Sequence, residues 1–146
     1  MAVTAKMYGQ MLLKALNKEI NWTADTIKVA LLSSAYTPDQ DTHDYWNDVS
    51  THQVTGTGYT AGGEELVSKS EAYDAPTNRI TLDGDNVSWA NSTITARYAV
   101  VYDDTPATAA EKPLLGYVDF GQDESSSNGT FEIQWNASGI FEITIT

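Results

Sequence analysis

The sequence predicts a mainly β domain: an antiparallel β-sandwich or barrel-like fold with one N-terminal α-helix. Three observations lead there. Three- and four-residue apolar spacing is confined to the first twenty residues. Most of the chain beyond residue 64 alternates apolar and polar residues in short runs, which is the period of a half-buried strand. Gly, Asn and Asp turns separate these runs, a pattern of sandwiches and barrels. No internal repeat is visible, and 146 residues suit a single domain spanning 1–146 that buries roughly two-thirds of its unfolded surface.

The elements follow in order. From about Ala5 to Asn17, Met7, Met11, Leu12 and Leu16, with Ile20 beyond, share one helical face, and Lys6, Gln10, Lys14 and Asn17 lie mostly opposite. Gly9 weakens such a helix by ~1 kcal/mol relative to Ala, so docking must hold it in place. "DTIKVALLS" reads as the first strand, with Ile27, Val29 and Leu31 on one face. Residues 33–64 read as a long irregular loop punctuated by Pro38, Gly56, Gly58, Gly62 and Gly63. Within it "THDYWNDV" fits one helical turn capped by Thr42. A loop this long is uncommon unless it binds something.

Downstream, "LVSKSEAYD" and "RITLDG" flank the turn "APTN", and "DNVSWA" and "ITARYAVVYDD" follow as strands. In the last of these Tyr98, Val100 and Tyr102 alternate with Ala99 and Val101, so both faces are apolar and the strand belongs at a sheet centre. "PLLGYVDFG" has the same two-faced character. "GTFEIQWN" aligns Phe131, Ile133 and Trp135, "GIFEITIT" aligns Phe141, Ile143 and Ile145, and the tight link "NASG" predicts a β-hairpin between them.

Composition narrows the chemistry. The 20 Asp and Glu residues against 8 Lys and Arg give a net charge of −12, which phosphate backbones repel, so nucleic acid is not an expected partner. No cysteine is present, which removes disulfides, thiolate metal sites and thiol nucleophiles. No stretch reaches the ~20 apolar residues that cross a bilayer, and no membrane association is expected. Lys14 and Lys18 interrupt the N-terminal apolar run and no small-residue cleavage site follows, so it reads as a retained helix and not a leader. Sequons at Asn21, Asn86, Asn91, Asn128 and Asn136 fit an Asn/Ser/Thr-rich strand surface.

The segment "TPDQDTHDYWND" gathers Asp39, Asp41, His43, Asp44 and Asp48. As a calcium loop starting at Asp39 it lacks both the glycine at position six and the glutamate at position twelve, so a solvated acidic loop is expected. Asp103, Asp104, Asp119, Asp123 and Glu124 sit at strand ends, where aspartate usually starts turns and only rarely forms a glycosidase pair. The two histidines, His43 and His52, both lie in the loop, and no nucleophile elbow, zinc-binding helix or phosphate loop occurs. Neither an enzyme nor a cofactor is expected. Among the tryptophans, Trp89 and Trp135 read as core, while Trp46 is the best exposed candidate for a sugar platform. Tyr36, Tyr45, Trp46 and Tyr59 are candidate partner contacts, because interface energy concentrates in such rings. The same rings could instead close over the protein's own core.

"AKMYGQMLLKALNKEINW", "DTIKVALLSSAYTPDQDTHDYWNDV", "GTGYTAGGEEL", "ITARYAVVYDDT", "PLLGYVDFG" and "FEIQWNASGIFEITIT" run in this order through nearly the whole chain. In that order the sequence resembles a group of small structural proteins of tailed bacteriophages, and within it the capsid decoration, or cement, proteins. The resemblance implies a β-rich protein, made in the host bacterial cytoplasm, that docks on the outer surface of the mature virion head. It further implies trimers at three-fold and quasi-three-fold positions, clamping neighbouring major capsid proteins after the shell expands. It carries no catalytic residues to transfer. On this reading "TPDQDTHDYWND" is a contact loop or an exposed rim. Two alternatives remain: a tail or head–tail connector subunit, which would share composition and strand content, and a virion carbohydrate-binding module, which would explain the tryptophans.

Overall fold

The structure, a computed structural model, describes residues 2–146. Its strands are β1 (Thr4–Met7), β2 (Ile27–Leu32), β3 (Glu64–Glu65), β4 (Ser70–Asp74), β5 (Arg79–Asp83), β6 (Val87–Asp103), β7 (Leu114–Ile133) and β8 (Phe141–Thr144). One α-helix, α1 (Met11–Leu16), and three single 3-10 turns complete the regular structure. All pairings are antiparallel, in a five-stranded sheet ordered β1-β7-β6-β2-β3 and a three-stranded sheet ordered β4-β5-β8. The fold is mainly β and sandwich-like, and the sheets do not close into a barrel.

β6 occupies the middle of the larger sheet, as its two apolar faces require. Alternation along β2 sorts the interior into two cores. Ile27, Val29 and Leu31 join Trp89, Ile94, Phe131 and Phe141 on one face. Ala30 and Leu32 join Tyr98, Val100, Tyr102 and Leu114 on the other. The bent far halves of β6 and β7 and the smaller sheet cover the first core. Residues from the 33–64 segment, with Tyr8, cover the second. Phe141 seats against β7 at Gly116, where an added Cβ would meet its ring at 2.5 Å, so only glycine admits that contact.

β6 and β7 are each longer than the sequence suggested. "DNVSWA" fuses with "ITARYAVVYDD", and "PLLGYVDFG" with "GTFEIQWN", because the intervening turn residues become bulges. Asn91, Gly121 and Asn128 have positive φ, and pairing register shifts beside them. Between Ala96 and Tyr98, β6 advances two positions while β7 runs from Glu124 back to Asp119. The surplus bends the hairpin sharply.

Four further expectations are corrected. The helix does not run from 5 to 17: residues Thr4–Met7 pair as β1 with Gly116–Asp119 of β7, and α1 starts only at Met11. Ladder hydrogen bonds along β7 outweigh local helix preference, and the chain turns at Gly9, whose N–H donates to the Gln40 carbonyl (2.9 Å). The buried face of α1 matches the expected one only at Met11. Met11 and Lys14 are buried, whereas Leu12, Leu13 and Leu16 are 47%, 53% and 81% exposed. "NASG" does turn, with Gly139 N–H donating to the Asn136 carbonyl, but it makes no hairpin. β8 pairs with β5, Phe141 opposite Leu82, so the chain passes from one sheet to the other. Finally, the turn Trp46–Asp48 is capped at Tyr45 and not at Thr42, the Asp48 carboxylate accepting the Asp44 and Tyr45 N–H groups (2.9 and 3.2 Å).

Candidate functional site

The four aromatic residues proposed as partner contacts divide by burial. Tyr36 is 1% and Trp46 7% exposed. Trp46 lies flat on Tyr102, ring centroids 4.1 Å apart and planes 7° from parallel. It therefore offers no free face for a sugar ring. Tyr36 packs edge-on to Tyr98, and its hydroxyl bonds the Tyr8 hydroxyl (2.8 Å) and His43 Nδ1 (3.0 Å). Burial pushes the Tyr36 phenol up to about 12, and Tyr8 further still, so both stay neutral. Both Tyr36 and Trp46 thus fill the chain's own second core.

Tyr59 packs from the opposite side against the first core. Its hydroxyl accepts the Leu31 N–H (3.2 Å) and donates to Gln53 Oε1 (3.1 Å), and burial pushes it up to about 12. Tyr45 is half-buried. Its hydroxyl donates to Glu19 (2.8 Å) and its ring lies under Lys14 Nζ at 3.7 Å. The four rings do not converge on one surface.

The acidic segment is bound up with its own backbone. Asp39 Oδ1 accepts the N–H groups of Asp41 and Thr42, both at 3.1 Å. The Thr42 hydroxyl and these amides hold the Asp39 carboxyl below the usual range. Asp44 pairs with Lys14 (3.2 Å), and Asp48 caps the following turn. Among the described residues no three His, Cys, Asp or Glu side chains gather to hold a metal ion.

The strand-end carboxylates separate as well. Burial alone would raise Asp104, but Lys112 and Lys28 (2.8 Å to the latter) hold it low. The Arg97 guanidinium, at 2.8 and 3.4 Å, holds Asp119 low. Asp103 differs. It is buried, its Oδ1 accepts the Thr105 N–H (2.9 Å), and its Oδ2 has no hydrogen-bond partner among the described residues. Burial and the facing Asp25 carboxyl push it up to about 6.

Two surface features remain. One is the apolar face of α1, Leu12, Leu13 and Leu16. The other is an open groove of about 810 Å³ inside the bend of β7, with Phe120, Phe131, Trp135 and Ile140 along it and Glu124 and Glu132 at its rim. A straight twenty-residue strand would run on the order of 66 Å. Here Gly116 and Ile133 line the same groove, so β7 folds over it. Sequence reasoning missed both features. The bend depends on bulges, and the expected helix face held Leu12 and Leu16 together with Met11, of which only Met11 is buried.

Comparisons with protein-family models, curated proteins and solved structures found no match to this chain.

Proposed function

We propose that the chain is a non-enzymatic virion protein of a tailed bacteriophage, a decoration subunit that docks on the outside of the expanded head. The exposed leucine face of α1 carries this reading. A subunit of net charge −12 gains little electrostatically from another acidic protein, so docking must rest on shape and buried apolar groups. Leu12, Leu13 and Leu16 offer such a surface on the side of α1 that the described residues leave uncovered. The ordered run of phage-like segments, which spans nearly the whole chain, supports the same reading.

The partner is the major capsid protein, and the subunit acts as a homotrimer. Each copy needs only a modest interface, because a trimer bridging several shell subunits gains from simultaneous contacts. A protein that binds the expanded shell in preference to the compact one stabilises the expanded state by mass action.

A reconstruction of whole particles tests this directly. The proposal expects density for the chain on the outer shell at three-fold and quasi-three-fold positions, with α1 turned toward the capsid lattice. Density confined to the tail or neck would overturn it in favour of a connector role.

A further inference from the structure

We infer that the groove inside the bend of β7 holds an extended segment of a partner protein, in which apolar residues alternate with lysine or arginine, added as a strand along the free edge of β7. The edge is open. β1 pairs with β7 only over Gly116–Asp119, so from Phe120 to Ile133 β7 carries β6 on one side and no described strand on the other. Unpaired N–H and C=O groups along such an edge are a template for another strand.

The groove lies beside that edge. Phe120, Glu124, Ser125 and residues 130–133 of the free stretch line it, and the lining continues past the end of β7 through residues 134–136. Apolar positions of an incoming strand would meet the half-buried Trp135 and Ile140.

Charge selects the occupant. Among the described residues, Glu124 and Glu132 at the rim accept side-chain hydrogen bonds only from neighbouring glutamine amides, Gln122 at 2.9 Å and Gln134 at 2.6 Å. Neither joins an ion pair among the described residues, while Lys14, Lys28, Arg79, Arg97 and Lys112 are all engaged elsewhere. A cationic segment would satisfy both carboxylates. A second copy of this acidic chain would add like charge. The inference stands whether or not the partner is a shell protein, because it concerns only how the segment is held.

The test uses the full chain and a ribosome-displayed library of random ten-residue peptides. Selection on immobilised protein should enrich peptides that alternate apolar with basic residues. An enriched peptide should shift the amide signals of Phe120–Ile133 and bind about tenfold more weakly to the Glu124→Lys, Glu132→Lys double variant, whose melting temperature stays unchanged. Three outcomes would overturn the inference. One is enrichment no greater than on the double variant. Another is shifts confined to other strands. The third is a dimer of the purified chain that the enriched peptide dissociates, which would make a second copy the natural occupant.

Discussion

Asp103 is a carboxyl group held where a charge is unwelcome, and its titration should be visible in the stability of the whole chain. Its folded value of about 6 lies above the ordinary carboxylate range, so the native state binds its proton more tightly than the unfolded chain does. Its contribution is therefore fully present below the unfolded value, near pH 4, and is lost as pH rises through about 6. Asp39, Asp104 and Asp119 act in the opposite sense, losing their stabilisation as pH falls below the usual carboxylate range. Stability should peak between these two regimes. Asp103→Asn keeps the bond from Thr105 and removes the buried charge, so it should raise the melting temperature by a few degrees near pH 7, about 1–3 kcal/mol. The advantage should vanish near pH 4. Parallel melting curves for the two proteins across that range would show that Asp103 is not the titrating group. Trp46 gives the second residue-scale prediction. Because it stacks on Tyr102 inside the second core, Trp46→Ala should cost about 3–5 kcal/mol in chemical denaturation, far more than an exposed sugar platform or contact residue would. A change below ~0.5 kcal/mol would contradict its place in the core.

At the scale of elements, the larger features were legible and the partner choices were not. The alternation of Ile27, Val29 and Leu31, and the two apolar faces of residues 98–102, specify β2 and a central β6, because burial pattern is a local property of the sequence. β1 left no such mark. Four residues carry no period, and what makes them a strand is the edge of β7 beside them. The turn "NASG" was legible as a turn, but which strand β8 pairs with is decided by the fit of Phe141 against Gly116 and Trp22, which lie far away in sequence. Of the two readings of the loop aromatics, closure over the protein's own core had a further sequence signal behind it. A strand with two apolar faces needs two covers, and only the 33–64 segment remained to supply the second, which places Tyr36 and Trp46 inside. Gly63, in that segment, holds φ +80 and lies so close to β2 that an added Cβ would sit 1.9 Å from the Val29 carbonyl oxygen. Gly63→Ala should therefore destabilise the chain by about 1–3 kcal/mol in denaturant titrations, and a neutral result would count against the β2–β3 pairing. Leu13→Glu with Leu16→Glu should do the reverse, leaving stability within ~0.5 kcal/mol while weakening attachment to heads. Unchanged attachment would remove α1 from the docking surface.

At the scale of the whole molecule, two packed cores hold the fold, and in the acidic loop Asp39 binds its own backbone while Asp44 pairs with Lys14. EDTA should accordingly leave the melting temperature unchanged, and a drop of several degrees restored by calcium would assign the Asp39–Asp48 segment a ligand role. A strongly acidic, sandwich-like domain with a bare leucine face suits a subunit that acts by attachment, gaining from many copies on one lattice. The most direct measurement compares the heat resistance of complete heads with heads assembled without this protein, before and after purified protein is added back. The account predicts that depleted heads assemble, burst at a lower temperature, and regain full resistance on addition. Depleted heads as robust as complete ones would contradict it.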